Sequence, residues 1–222
     1  MKVSILIPVY NEQYTVAKVI EKVLSLNLEK EIIVIDDGST DGTAEILKNL
    51  YSENQHIKHI FQKSNCGKGS AIRAGLVKVT GDYVIIQDAD LELEPSDILK
   101  LTQVIDNNSR VIFGSRFLSG PKLPFLSFLA NKFLTFLTNL LYMGNLTDME
   151  TCYKLCERKI LLELGLKSKG FEIEPEITCK ILKRGYRIKE VPVSYNPRKI
   201  GKKIGWSDGF KAIFAILKYR IT

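Results

Sequence analysis

Histidine is nearly absent from this chain, with two residues in 222. The four cysteines, Cys66, Cys152, Cys156 and Cys179, form no CxxC pair, so no zinc site is apparent. Cys152 and Cys156 are spaced as neighbours on a helix face, and the thiols read as buried free cysteines of a reducing compartment. Two common phosphate loops are missing as well, since neither GxxxxGK[ST] nor GxGxxG occurs. No signal peptide is expected, because Met1–Tyr10 carries one Lys and then reads as a strand; the expected location is cytoplasmic. The most apolar stretch, Leu123–Met143, is interrupted by Ser127, Asn131, Lys132, Thr135, Thr138 and Asn139. These groups would be costly at bilayer depth, so the stretch predicts an amphipathic helix and not a span. Repeats, low-complexity tracts and linker-like segments are also lacking.

What is present is an ordinary globular composition, 45% hydrophobic and 26% charged, on a chain long enough to bury a core without disulfides. The net charge of +7 is uneven: residues 1–150 hold 15 Lys and Arg against 18 Asp and Glu, residues 151–222 hold 17 against 7. A basic second part suits an anionic partner or a solvated basic face.

Along the chain, strands and helices alternate. Val3–Val9, Glu31–Ile35, Ile57–Phe61, Tyr83–Gln87 and Val111–Phe113 read as apolar strands, and Ile188–Tyr195 as a strand whose Pro192 suits an edge. Between and after them, Glu12–Leu26, Thr43–Tyr51, Lys68–Thr80, Ile173–Arg184 and Trp206–Ile221 have helical periodicity. The pattern predicts an α/β fold with a mostly parallel sheet covered on both faces. Ligands in such sheets bind at the carboxyl ends of the strands, where Asn11-Glu12, Asp36-Asp37 and Asp88-Ala89-Asp90 fall.

Asp88-Ala89-Asp90 is the central signal. Two carboxylates at a strand end offer hard oxygen ligands that suit Mg²⁺ or Mn²⁺ shared with substrate phosphates, and Glu92 offers a third oxygen. Asp36–Gly42 reads either as a turn and helix cap, with Asp41 or Thr43 capping, or as carboxylates that accept hydrogen bonds from a ribose or base. Lys68, in the glycine-rich run Asn65–Ser70, either reaches phosphate or is solvated. Asp148 reads as a base, as an acceptor-positioning group, or as the N-cap of a helix over Met149–Leu155.

Taken in order, Ile7-Pro-Val-Tyr-Asn-Glu12, Asp36-Asp-Gly-Ser-Thr-Asp-Gly-Thr43, Gly67-Lys-Gly-Ser-Ala71, Asp88-Ala-Asp-Leu91 and Gly114-Ser-Arg-Phe117 resemble the family-2 inverting glycosyltransferases of GT-A fold. Thr147–Lys154 and Glu190–Ser194, with Arg198 and Lys203, resemble the dolichol-phosphate mannose synthase branch and its polyprenyl-phosphate relatives. The resemblance covers nearly the whole chain. It implies one GT-A domain, with residues 1–116 binding a nucleotide sugar and residues 117–222 forming an acceptor-binding, membrane-proximal part with C-terminal amphipathic helices.

The resemblance also assigns roles. Pro8, Tyr10 and Glu12 match positions lining base and ribose, and Ile35 and Asp37 match others around the nucleoside. Asp88, Ala89 and Asp90 match the metal and diphosphate site, with Glu92 where relatives often have Gln. Arg116, Arg198 and Lys203 match basic residues that meet donor or acceptor phosphates. The basic loop is about one residue shorter here, so Lys202 competes with Lys203, and where many relatives carry further arginines after Gly-Ser-Arg this chain has Lys122 and Lys132 nearby instead.

The implied reaction is transfer with inversion from a GDP-mannose or UDP-glucose type donor to a polyprenyl phosphate, with Mg²⁺ or Mn²⁺ as cofactor. A saccharide or other hydroxyl acceptor is the alternative and would need a general base. A nucleotidyltransferase would also use paired Asp residues. A basic membrane-surface or nucleic-acid module is the non-enzymatic alternative, and acidic strand ends speak against nucleic acid. Leu126, Leu129, Phe133, Phe136, Leu137, Leu140 and Leu141 suit core packing or a lipid acceptor. Trp206, Phe210, Ile213, Phe214 and Leu217, with Lys211, Lys218 and Arg220, suit a helix at a membrane interface or one docked on the sheet. A membrane-protein partner and a second copy of the chain stay open as companions.

Overall fold

The computed structural model describes residues 1–53, 57–120, 123–198 and 205–222. Lys122, Lys202 and Lys203 lie outside that set, and of Tyr51, Ser52, Glu53 and Trp206 the backbone alone is described.

The first half is built from β-branched runs too apolar to face water. β1 (Val3–Val9), β2 (Lys30–Asp36), β3 (Ile57–Phe61) and β4 (Tyr83–Ile86) pair in parallel in the order β3-β2-β1-β4. Pro8 sits in a central strand, but past the last rung that β1 shares with β4, Leu6 to Ile86. The crossovers are α1 (Val16–Leu24), α2 (Thr43–Glu53) and α3 (Lys68–Leu76). In α1 the apolar positions Val16, Val19, Ile20 and Val23 recur at helical spacing and are buried.

The second half reverses direction once. After α4 (Asp97–Gln103), β5 (Val111–Ser115) and α5 (Phe125–Tyr142), the strand β6 (Lys154–Glu157) inserts antiparallel between β4 and β5. Then α6 (Arg158–Glu163) and α7 (Ile173–Lys183) lead to β7 (Lys189–Pro192), parallel to β5 at the sheet edge, and α8 (Trp206–Ile221) follows. Among the described residues the sheet therefore has seven strands in the order β3-β2-β1-β4-β6-β5-β7, mostly parallel with helices on both sides. Pro192 lies on the edge strand, as expected.

Three expectations need correction. The stretch Met149–Leu155 is not a helix: it is irregular as far as Tyr153 and then enters β6. Asp148 therefore caps nothing, and Cys152 and Cys156 do not share a helix face. Cys66 is exposed, whereas the other three free cysteines are buried.

A second, smaller core lies away from the sheet. Leu134 and Tyr142 of α5, Met149, Cys179 of α7 and Ala212, Ala215, Ile216 and Tyr219 of α8 are buried together. The Tyr142 hydroxyl donates to the Ile216 carbonyl at 2.7 Å. The tail thus docks on α5 and α7 through one side only. Phe210, Phe214, Leu217 and Ile221, at helical spacing, are exposed on the other. The same holds for α5, where Phe125, Leu126, Leu129, Phe133, Phe136 and Leu140 range from 47% to 71% exposed. The core-packing reading fails for these residues and holds for Leu137 and Leu141, which are half-buried against the second core. No helix among the described residues is long and apolar enough to cross a membrane.

Candidate active site

Parallel pairing brings the ends of β1, β2 and β4 to one rim. The first loops of that rim are stitched together by side chains. Asn11, at φ 49°, donates its amide to Ser39 Oγ at 2.9 Å, and its Oδ1 accepts from the Thr40 amide at 2.8 Å. Asp41 Oδ1 accepts from the Thr43 amide at 3.0 Å, as the turn-and-cap reading expects. Asp37 is buried and accepts from the amides of Cys66 and Gly67 at 2.9 and 2.8 Å. Burial raises its carboxyl, against the pull of those two amides. Both Asp37 oxygens thus shape the loop before α3. Ile35 is wholly buried beneath α3, where a Cβ on Gly75 would meet its Cδ1 at 2.8 Å. The Ile35 side chain therefore belongs to the core. Pro8 and Tyr10 are half-buried at the end of β1.

The glycine-rich loop owes its glycines to close packing of two chain segments. Gly67, at φ 96°, and Gly69 let the chain lie against residues 168–170; an added Cβ would stand 2.5 Å from the Lys169 carbonyl oxygen or 2.6 Å from that of Ser168. The amides of Gly69 and Ser70 donate to the carbonyls of Gly170 and Lys169. Lys68 is neither solvated nor extended towards open space. It is 11% exposed, with its Nζ 2.7 Å from Asp88 Oδ1 and 3.0 Å from Glu174 Oε1. Burial opposes its charge, but Asp88 and Glu174 hold it well above the ordinary lysine range. Burial likewise works to raise Asp88, and Lys68 outweighs it, leaving that carboxyl below its ordinary value.

Asp90 differs. Ala89 is buried between the two acids, and Leu91 at φ 61° turns the chain. Asp90 Oδ1 accepts from the Glu92 amide at 3.1 Å, and Oδ2 is 3.7 Å from an Arg198 nitrogen. Burial first, then the charges of Asp88 and Glu92, push Asp90 up to about 7. Negative charge is thus crowded at Asp90, and the donors there are hard oxygens, which fits Mg²⁺ or Mn²⁺. Glu92 is an unsuitable third ligand as it stands: Oε2 accepts from the Tyr195 hydroxyl at 2.7 Å and Oε1 from the Arg198 amide at 2.9 Å. Among the described residues no group of three His, Cys, Asp or Glu is arranged to hold a metal alone. Asp88 and Asp90 would hold a cation together with ligands from a substrate. Arg198 Nη1 also reaches Glu12 Oε1 at 2.9 Å, so a residue near the carboxyl end of the chain closes the rim set by β1 and β4.

Beside this rim stands a second cluster, at the end of β5. Arg116 donates to Asp148 three times, from its amide at 3.0 Å and from Nε and Nη2 at 2.7 Å each, and to Asn131 of α5 at 3.2 Å. The guanidinium lies 5.2 Å from the Tyr195 ring centroid. Asp148 is wholly buried and its amide, with that of Thr147, donates to Glu190 at 3.1 and 2.8 Å. A carboxylate so engaged is a clamp on Arg116 and no free base. Lys132 stands 4.2 Å from the Phe117 ring centroid. Glu150 has a buried Oε1 with no hydrogen-bond partner among the described residues. Burial pushes its carboxyl up to about 7, with Lys154, Glu174, Arg116 and Asp148 all close enough to act on it.

The motif reading thus brings together Glu12, Lys68, Asp88, Asp90, Glu92 and Arg198 at one rim, with Arg116 and Asp148 paired beside them. It missed Glu174, Lys154, Glu150, Tyr195 and the positioning role of Glu190. Glu150 and Lys154 lie inside the quoted run Thr147–Lys154, and Glu190 opens Glu190–Ser194; Glu174 carried no signal.

The comparisons agree with this architecture. The model for glycosyl transferase family 2 matches residues 4–165, and the chain belongs to that family and is a glycosyltransferase. Its fold is similar to that of glucosyl-3-phosphoglycerate synthase from Mycobacterium tuberculosis, solved with Mn²⁺, uridine-diphosphate and phosphoglyceric acid. That match has 19% identity and a TM-score of 0.76, over 99% of this chain and 78% of that one. TarS 1-349 of S. aureus, solved with UDP-GlcNAc, matches at 18% identity and TM-score 0.69, over 99% and 66%. The mannosyltransferase PcManGT of Pyrobaculum calidifontis, solved with GDP-Man and Mn²⁺, matches at 18% and 0.65, over 90% and 58%. The fold is GT-A, shared with these transferases.

Proposed function

We propose that the chain transfers a hexose with inversion from a nucleotide diphosphate sugar, of GDP-mannose or UDP-glucose type, to a polyprenyl phosphate at a membrane surface. The observation that carries this reading is the dual character of α5. Asn131 on that helix touches Arg116, and Lys132 beside it extends the cationic cluster, while Phe125, Leu126, Leu129 and Phe133 on the same helix are exposed. Such a helix suits an acceptor with an anionic head and a long apolar tail. The exposed stripe of α8, flanked by Lys211 and Lys218, extends the apolar surface and suits an anionic leaflet, each basic residue adding about 1 kcal/mol. Residues 1–116 form the donor part and 117–222 the acceptor and membrane-proximal part, with Arg198 returning to the donor rim. The cytoplasmic face of a membrane fits this arrangement.

In the reaction, Asp88 and Asp90 would hold Mg²⁺ or Mn²⁺, which supplies neutralisation of the diphosphate leaving group. Arg198, poised at 2.9 Å from Glu12 and 3.7 Å from Asp90, is within reach of a donor phosphate at the same rim. Arg116, locked by Asp148, offers its remaining N–H groups to the acceptor phosphate. A phosphate acceptor is already anionic and needs orientation more than deprotonation.

A hydroxyl acceptor is the second reading, favoured by Glu150 Oε1, which has no hydrogen-bond partner among the described residues. A carboxylate with one buried oxygen and an affinity for protons raised to about 7 suits a general base. The test is product extraction after incubation with a panel of nucleotide sugars, with and without a short polyprenyl phosphate. Labelled sugar in the organic phase, dependent on the lipid phosphate, is the expected result. Label found solely on a water-soluble saccharide would overturn the lipid reading and favour the second.

A further inference from the structure

The carboxylate that would hold the cation is not free. Asp88 is paired with Lys68 through Oδ1, and a cation arriving at that oxygen competes with the ammonium. Lys68 is 11% exposed, so releasing it without a second partner would leave a buried charge uncompensated. The second partner is already there: Glu174 Oε1 stands 3.0 Å from the same nitrogen, an ionic contact that lacks hydrogen-bond geometry and leaves that oxygen ready to take the ammonium up. Glu174 is itself anchored from behind. Its Oε2 is 2.5 Å from Lys154 Nζ, and Lys154, 1% exposed, also donates to the Thr151 carbonyl. Asp88, Lys68, Glu174 and Lys154 thus form an alternating ionic chain leading inward from the rim. Buried ion pairs contribute little net stability compared with apolar packing, so stability alone gives a weak account of four charges in line.

We propose that Glu174 is a positioning residue that shares Lys68 with Asp88 and so allows Asp88 to accept a divalent cation before donor binds. This rests on the reading of Asp88 and Asp90 as the cation site. When Asp88 turns to the cation, Lys68 falls back on Glu174 and stays paired. Lys154 keeps Glu174 in place for that exchange. Without Glu174, Lys68 has Asp88 as its sole carboxylate among the pairs described, and the cation competes against a full buried ion pair.

The sign of each substitution follows. Mn²⁺ alone, titrated into the whole protein without donor and followed by calorimetry or by loss of the free-ion electron paramagnetic signal, reads the site directly. Glu174→Gln should weaken Mn²⁺ binding about tenfold, the scale of coupling within one ionic network. Lys68→Met should tighten it, because the competing ammonium is gone. Lys68→Met combined with Glu174→Gln should match Lys68→Met within about twofold. A merely structural Glu174 would weaken binding equally in both backgrounds, and that result would overturn the proposal, as would native affinity in Glu174→Gln. Should Glu174→Gln fail to fold because Lys154 is orphaned, Lys154→Met with Glu174→Gln removes that charge, and the same tenfold loss is expected. No Mn²⁺ binding by the native protein would instead remove the cation site, and the proposal with it.

Discussion

Replacing Asp148 with alanine removes the partner of a guanidinium that has almost no water to turn to. Asp148 accepts three hydrogen bonds from Arg116 and is wholly buried, while Arg116 is 12% exposed. After truncation Arg116 keeps Asn131 at 3.2 Å and the Tyr195 ring, neither of which neutralises it. Breaking a buried pair from one side costs about 3–5 kcal/mol. For a protein of this size each kcal/mol lowers the melting temperature by about 2–4 °C, so Asp148→Ala should melt on the order of 6–20 °C early. Removing both charges in Arg116→Ala with Asp148→Ala leaves no orphan, and the double variant should recover about 2–3 kcal/mol of the summed single losses. Thermal and urea unfolding of the four proteins give the cycle. Single losses below about 1 kcal/mol, or strict additivity, would refute the clamp. Asp148→Asn with native stability and no transfer would return Asp148 to the role of base.

Three further outcomes are expected. Asp90→Ala should abolish transfer without lowering the melting temperature, because burial and like charges already disfavour that carboxylate, and chelation should silence the native enzyme; full activity in excess chelator would contradict the cation site. Glu150 is raised from 4.5 to about 7, so its stabilising effect is fully present below 4.5 and lost as pH rises through about 7; Glu150→Gln should flatten that slope, measured as the difference in unfolding free energy between pH 5 and 8. Phe210→Ser with Phe214→Ser should leave stability within about 0.5 kcal/mol, since both side chains are exposed, yet reduce sedimentation with anionic vesicles; undiminished sedimentation would exclude α8 as the contact.

The parallel half of the sheet was legible because its strands are apolar throughout and its helices periodic, a pattern that propensity and burial support together. The carboxylates at the rim were legible because polar groups ending apolar strands have few bland explanations. The strand β6 was hidden by Lys154 at its head, a residue type that reads as exposed and is here 1% exposed because Glu174 compensates it from another element. Asp148 was misread for the same reason, as its partners Arg116 and Glu190 lie 32 and 42 residues away. Long-range pairs of this kind leave no local periodicity. The exposed stripes of α5 and α8 had the spacing of a core and differ from one only in what packs against them.

The reversed strand also constrains the order in which the sheet can assemble. β5 pairs with β6 and β7 and has no rung with β4, while β6 meets β4 through Tyr83 to Glu157 and Val84 to Cys156 alone. As the chain leaves the ribosome, β1 to β4 have partners among themselves, but β5 waits for about 40 more residues before a neighbour exists. The isolated amino-terminal sheet must meanwhile tolerate an open edge on β4, at Tyr83 and Val84, where a strand from another nascent chain could dock. In the whole chain the same difference persists as loop length, about 20 residues between β1 and β2 against about 40 between β5 and β6, so pulse-labelled hydrogen exchange during refolding should protect the amides of β1 and β2 before those of β5, and simultaneous protection of these strands would contradict this order.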